Sequence, residues 1–542
     1  MRVETEIRAR ICAFAAVAFF LLSAVPFLGI LGIEADEALP VEPLFRPKYW
    51  YYALHLGHAR IPLMHMAYLG TLKTWLWAPI FHWWGATAWT LRFPAVLAGA
   101  ASIWIFYLFL RAAAGARAAA LGCAILAADS QYLLTTTFDW GPVALQHLLI
   151  LAGLLLLVRF HGSRSAPWLA AAFFLFGLAV WDKMLGVWML SGLAAGAVAA
   201  VPRQIARVWN WRRTAIAAAA FFAGALPVAI SGIHDHFAAL RENAGRTTQE
   251  LPQKVAVLEN TLDGSGLFGY MFAEDSETSA PHAASGLMER ASAEVSRCFG
   301  HPRRSLELYA FLLALALVPL ARGRDLRAIR FSLVAMAVAW VQMATTAGAG
   351  GSVHHVILMW PLPAMVAGVS FAAASRRLGY AGIPAIAAIL AVLVLSEALV
   401  TNEYLWKSVR NGGGRTWSDA IFPLSIDLSA RHAAAVYCAD WDTLENLRFL
   451  GHGSLPLESA MDPLPSAGMS ANLRQWLLKR IAAPDGVWVT HVPDMEFFRD
   501  IRPKWDDFAA AAGFDRRVVE VVRDTHGRPT FEIYRFEHRE QR

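Results

Sequence analysis

Two carboxylates stand side by side at Asp36 and Glu37, just past the first long apolar run of the chain. A carboxylate at a lipid–water boundary is costly unless it is solvated, paired or used. Adjacent carboxylates in a partly apolar site repel, which raises one pKa toward the working range of a general base. The alternative reading of the same pair is an interfacial cap on the preceding helix. The segment that follows, to residue 90, is rich in further polar chemistry, with His55, His58, Arg60, His65, Lys73 and His82.

Three later clusters could join them. Asp139, in Phe138-Asp139-Trp140-Gly141-Pro142, reads equally as a site carboxylate and as the N-cap of a helix opened by Gly-Pro. Trp181-Asp182-Lys183-Met184 interrupts an apolar stretch. It is either an ion pair in a hairpin or a place where an ammonium meets an anionic headgroup as a point charge. Gly348-Ala349-Gly350-Gly351-Ser352-Val353-His354-His355 is a flexible segment ending in two histidines. The pair is either structural or a contact to phosphate or sugar, and its spacing matches no zinc motif. No Walker loop, dinucleotide fingerprint or nucleophile elbow occurs, so ATP-driven transport and serine-hydrolase chemistry lack support.

The elements that must position these residues are mostly membrane helices. Of the 542 residues, 57% are hydrophobic and 17% charged, against roughly 25% charged in soluble proteins. Mean hydropathy is +0.41. The run from Ile11 to Ile33 outlasts a signal-peptide core and reads as an uncleaved first span. Further spans are expected near 91–112, 117–135, 140–160, 167–182, 184–201, 214–232, 305–321, 328–347, 355–375 and 379–400, about eleven in all. Arg111/Arg117, Arg159/Arg164, Arg203/Arg207/Arg212/Arg213, Arg322/Arg324/Arg327/Arg330 and Arg376/Arg377 then share one side, cytoplasmic by the positive-inside rule. Asp36/Glu37, Asp139, Asp182/Lys183 and His354/His355 share the other side. The net charge of +6 therefore encodes orientation and not nucleic-acid binding.

Between the spans lie two large outer loops. Residues 34–90, with Tyr49-Trp50-Tyr51-Tyr52 and Leu72-Lys73-Thr74-Trp75-Leu76-Trp77, read as amphipathic helices in the interface. Residues 233–304 are polar with a Gly-rich centre, as in a surface loop or a lid. From residue 401 the composition becomes that of a water-soluble α/β domain, with strands expected at 433–437, 487–490, 518–522 and 530–534 and a helix at 472–483. The four cysteines show no metal spacing, and a Cys298–Cys438 bridge is left open.

In order and sidedness these motifs resemble those of the GT-C membrane glycosyltransferases, over roughly residues 1–400. The branch they resemble is glycosyltransferase family 39 and its bacterial relatives, which include protein O-mannosyltransferases and the aminoarabinose transferase of lipid A. Asp36-Glu37 is similar to the first-loop Asp-Glu of that family. Thr90-Leu91-Arg92-Phe93-Pro94 resembles its Leu-Arg-hydrophobic-Pro segment. Trp181-Asp182-Lys183 resembles its Thr-Lys-Gly hairpin, and His354-His355 before Leu358-Met359-Trp360-Pro361-Leu362-Pro363 resembles its late Leu-Pro-rich span. Pro40, Glu42, Pro43 and Arg46-Pro47-Lys48 depart from the family pattern.

The resemblance implies a GT-C-like polytopic fold in a bacterial inner membrane, with a cytoplasmic N-terminus and a periplasmic 401–542 domain. It implies inverting transfer of a sugar from a polyprenyl-phosphate donor to a hydroxyl of a glycan, lipid or protein. Asp36 is then the base and Glu37 its positioner. Lys183, His354, His355 and Arg92 serve the donor phosphate, with pairing to a carboxylate as the other role open to Arg92. Asp139, His55, His58, Arg60 and Lys73 line the site or meet the acceptor. No cofactor is assigned; a divalent metal, with Asp36 and Asp139 supplying oxygen ligands, stays open. A transporter or flippase of a lipid-linked sugar, and a non-catalytic glycan-binding assembly protein, are the readings from other classes.

Overall fold

A computed structural model describes residues 2–46, 51–238, 241, 245–277, 282–461 and 469–539. Among them, five helices are long and apolar enough to cross a membrane, or up to nine if each bent pair is one span. The five are Glu4–Phe27, Ala88–Ala114, Val143–Ser163, Arg324–Thr345 and Gly379–Asn411. The bent pairs are Ala116–Ala128 with Ser130–Thr137, Gly186–Ala200 with Pro202–Val208, Trp211–Gly224 with Leu226–His234, and Val353–Met359 with Leu362–Arg377. Shorter apolar helices, Ala166–Asp182 and Glu307–Ala316, occupy the other two stretches expected to span.

Small residues let these helices approach. A Cβ on Gly177 would lie 2.2 Å from the Phe221 carbonyl oxygen, and one on Gly224 2.3 Å from that of Phe174. Two backbones therefore touch directly, the packing that replaces hydrophobic driving force inside lipid. Arginines gather at one end of the bundle, where Arg111 pairs with Glu6 at 2.9 Å, Arg117 donates to Ser375 at 3.0 Å and Arg376 pairs with Asp325.

At the opposite end lie the 34–90 segment and the C-terminal sheet. The 34–90 segment differs from the expected amphipathic helices. Strands β1 (Tyr52–Leu56) and β2 (Ala59–Met64) form an antiparallel hairpin, and among the described residues from 34 to 87 only Leu72–Trp84 is a helix of more than one or two turns. Gly57, at φ 59, turns the chain in two residues, and the two-residue spacing of Leu54 and Leu56 and of Ile61 and Leu63 suits a strand. Tyr49 and Trp50, read with that helix, lie outside the described residues. Trp83 and Trp84, at the helix end, are 68% and 67% exposed, as an interfacial aromatic belt requires.

In the C-terminal region the sheet has the order β4-β3-β5-β7-β6, from β3 (Ala435–Cys438), β4 (Leu457–Ser459), β5 (Gly486–His491), β6 (Phe514–Arg523) and β7 (Pro529–His538). β3 runs parallel to β4 and β5, while β7 runs antiparallel to β5 and β6. Alternation divides its residues between two buried faces. Val436, Cys438, Val487 and Val489 pack against the Ile421–Ala430 helix, and Tyr437 and Trp488 against Ala471–Ile481 and Ile501–Ala511. Four strands and the 471–481 helix fall where the sequence places them; β4, three residues long, does not announce itself. Cys438 is buried, Cys298 is exposed, and both are free, so no bridge joins them.

Candidate active site

Glu34 begins the site. Its backbone is extended, and its carboxylate accepts from the Asp36 amide at 2.7 Å, capping the one-turn helix Ala35–Ala38. The Ala35 amide donates instead to Asp442, from the loop after β3, at 2.5 Å. The one-turn helix is thus held at its start from both the membrane part and the C-terminal sheet.

On such a turn neighbouring side chains leave in different directions. Asp36 is half-buried and lines a cavity of about 430 Å³. Glu37 is fully buried and meets Arg92, whose Nε and Nη2 donate to its two carboxylate oxygens at 2.6 and 2.9 Å. The remaining Arg92 donors go to the carbonyls of Leu28, Leu31 and Gly32. All five N–H groups of Arg92 are engaged, so a phosphate role for it is corrected: it is the clamp of the loop. Glu37 likewise holds the loop and does not reach the cavity.

Burial raises the proton affinity of Asp36, and the nearby Lys183 ammonium opposes that rise. Glu34 is pushed well above the usual carboxylate range, first by burial and then by the charges of Asp36 and Asp442.

Lys183 is placed by backbone. Leu69 bridges to it, the Met184 amide donates to the Tyr68 carbonyl at 3.0 Å, and Gln146 Nε2 donates to the Lys183 carbonyl at 2.7 Å. Its Nζ donates to the Gly141 carbonyl at 3.1 Å. A side chain on Gly141, at φ 72, would collide with His354, so that glycine brings His354 and Lys183 together. His354 lines the cavity, edge-on to Trp140 at 4.5 Å, with Nδ1 3.0 Å from Ser352 Oγ. His355 turns away, its Nδ1 accepting from the Gly350 amide at 3.2 Å.

Several expected members are not brought in. Asp139 pairs with Lys73 at 2.6 Å, both 1% exposed, and accepts from the Ala144 amide at 2.9 Å. It thus satisfies an amide in the first turn of the helix Val143–Ser163, whose N-cap residue is Pro142, and neither it nor Lys73 lines the cavity. An Asp36–Asp139 metal pair is thereby set aside, because Asp139 is neutralised by Lys73. Among the described residues no three His, Cys, Asp or Glu side chains could hold a metal ion. His55, His58 and Arg60 are exposed at the tip of the β1–β2 hairpin, with His55 opposite Arg60. They do not line the cavity either; the strand pairing carries them outward.

Other residues complete it. Tyr270 stacks on Trp140 at 4.8 Å, and Trp441, Phe497 and Phe498 come from the C-terminal sheet region. Asp440 fixes the last two, accepting their backbone amides at 2.9 and 3.1 Å while bound to buried His491 at 2.8 Å. Phe497 and Phe498 are still 41% and 40% exposed. Only Glu34 carried a local signal, as an acidic residue two before Asp36. The aromatic wall converges from segments hundreds of residues apart, which no spacing reveals.

Residues 70–229 match the sequence model of a family described as dolichyl-phosphate-mannose-protein mannosyltransferase. The structure of ArnT from Cupriavidus metallidurans bound to undecaprenyl phosphate aligns with a TM-score of 0.54 at 14% identity, covering 96% of this chain and 97% of that one. ArnT in the apo state aligns with a TM-score of 0.56 at 13% identity and the same 96% and 97% coverage. The apo oligosaccharyltransferase of Archaeoglobus fulgidus aligns with a TM-score of 0.49 at 12% identity, covering 89% of this chain and 70% of that one. No curated protein matches in sequence. The likeness to ArnT runs almost end to end in both chains, and it is one of fold.

Proposed function

We propose that this chain, a multi-pass membrane protein with the fold of the GT-C membrane glycosyltransferases, moves a sugar from a polyprenyl-phosphate donor to a hydroxyl acceptor. Undecaprenyl phosphate bound to ArnT supports a donor of that chemistry. One observation carries the reading: Asp36 faces an aromatic-walled cavity and has the Lys183 charge close by. In the proposed reaction Asp36 takes the acceptor proton as that oxygen attacks the anomeric carbon. The new C–O bond forms opposite the bond to phosphate, which breaks and leaves its electron pair on the phosphate, inverting the carbon. Lys183, with His354 beside it, neutralises the departing charge. Trp140, Tyr270, Trp441, Phe497 and Phe498 offer apolar faces to sugar rings. The sugar is a hexose or pentose and the acceptor an envelope glycan, lipid or protein. The arginine-rich end faces the cytoplasm and the 401–542 region the periplasm of a bacterial inner membrane.

The test is complementation. Envelope glycolipids and glycoproteins of a deletion strain are compared by mass spectrometry after return of the wild type or of Asp36→Asn. The wild type is expected to restore a sugar that Asp36→Asn, inserted in the membrane to the same level, does not. Restoration by both would reject Asp36 as the base.

A further inference from the structure

The helix Leu287–Phe299 leaves an apolar stripe uncovered. Leu287, Met288, Ala291, Val295, Cys298 and Phe299 fall within about a third of its circumference at 100° per residue. Leu287, Met288 and Phe299 are 86%, 52% and 61% exposed. The neighbouring edge is polar and packed: Asn402 Nδ2 donates to the Ser292 carbonyl at 3.2 Å and to Ser296 Oγ at 3.0 Å. The far edge carries Arg290, Glu294 and Arg297.

Its level in the molecule identifies what covers the stripe. Twenty residues of helix separate Gly382 from Asn402, about 30 Å at the α-helical rise and equal to the hydrocarbon core of a bilayer. The next apolar helix, Glu307–Ala316, starts six residues lower on that helix, about 9 Å, where the Leu306 amide donates to Ser396 Oγ at 3.1 Å. Below this level the surface is continuously apolar, with Tyr309 and Leu312 at 67% and 51% exposure and Val392 and Leu395 at 54% and 52%. The stripe continues that surface at its upper rim.

We infer that Leu287–Phe299 is an in-plane membrane helix whose apolar stripe is bedded in the leaflet nearest the C-terminal sheet. The lipid contact is apolar and not electrostatic. Glu294 pairs with Arg297, and Glu289 is taken up in accepting the Ser285 and Gly286 amides at 2.7 and 3.0 Å, so two acids balance Arg290 and Arg297. The helix closes the segment that carries Gly266 and Tyr270 to the cavity, and its seating in lipid fixes that segment's height.

Cys298 supplies the test, because Cys123 and Cys438 are buried and Cys12 is removable as Cys12→Ser. The full chain, with a polarity-sensitive fluorophore on Cys298, is placed in phosphatidylcholine nanodiscs. It is compared with the fluorophore at Arg290→Cys in a Cys12→Ser, Cys298→Ser background. Quenching by a shallow doxyl-labelled lipid, relative to quenching by aqueous iodide, is expected to be several-fold greater at 298 than at 290. Replacing part of the lipid by phosphatidylglycerol should leave that ratio unchanged. A ratio at 298 equal to or below that at 290 would show the stripe facing water and overturn the inference, as would a ratio set by anionic lipid.

Discussion

On the one-turn helix Ala35–Ala38, Asp36 faces the cavity and Glu37 faces Arg92, so adjacent carboxylates should fail in different ways when substituted. Asp36→Asn removes the proposed base and should lower transfer by about 10²–10⁴-fold with little change in unfolding temperature. Glu37→Gln leaves the Arg92 guanidinium buried without its counter-charge, at a cost of about 3–5 kcal/mol. Thermal unfolding in detergent should register that loss, and an unchanged midpoint would contradict the clamp. The pH dependence has a definite sign. Burial raises the Asp36 pKa, so the acid limb of transfer should lie above the ordinary aspartate range, with activity rising as Asp36 ionises. The Lys183 charge lowers that pKa, so Lys183→Met should shift the limb to higher pH as well as reducing the rate. A limb that stays put would separate Lys183 from Asp36.

Among the elements, the stretch from Tyr68 to Gly70 is what joins the first loop to the Lys183 hairpin. The Gly70 amide donates to the Asp182 carbonyl at 3.2 Å, and a Cβ on Gly70 would lie 1.8 Å from the Trp181 carbonyl oxygen. Backbone stands in the way, so no rotamer relieves the clash. Gly70→Ala should therefore displace Lys183 from the Gly141 carbonyl and cut transfer sharply, while the helices still insert. Transfer at the wild-type rate, with unaltered protease sensitivity around residue 70, would show that this contact does not position Lys183. The hairpin just before it, Tyr52–Met64, was not legible: its aromatic and apolar residues read as an amphipathic helix, and the Gly57 turn with pairing across the hairpin made it two strands.

At the scale of the molecule, the C-terminal sheet closes a site that membrane helices begin. Besides Asp442 and the aromatic wall, it sends Arg448 into the buried carboxylate of Glu42, which also lies 2.8 Å from His65. Burial holds His65 down at about 4, so near neutral pH it is an uncharged N–H donor, and Arg448, with Arg46 at 3.7 Å, supplies the positive charge that balances Glu42. Arg448→Met should loosen the docking of residues 412–539 on the first loop and lower activity. Limited proteolysis of reconstituted protein would show faster release of the C-terminal region, and an unchanged cleavage rate would place the docking elsewhere. The segment at Pro40, Glu42 and Pro43, unlike the family pattern in sequence, is the segment on which this docking rests.

Hydropathy and arginine placement by themselves located the apolar helices and which polar clusters share an end of the bundle. Within lipid only helices are permitted, and each cluster of arginines marks an end. Runs rich in β-branched and aromatic residues likewise marked four strands of the C-terminal sheet, whose two faces are each covered by a core. The Asp36-Glu37 doublet was visible, but its division into a cavity carboxylate and a clamped one was not, because it depends on where Arg92 lies across the bundle. Asp139 and Lys73 looked like site residues for the same reason: a charged side chain in sequence does not reveal whether its partner is solvent, substrate or another buried charge. Only the tertiary structure joined Glu34, Tyr270, Asp442 and Phe497 around Asp36, since long-range packing, and no local spacing, brings their four segments to one cavity.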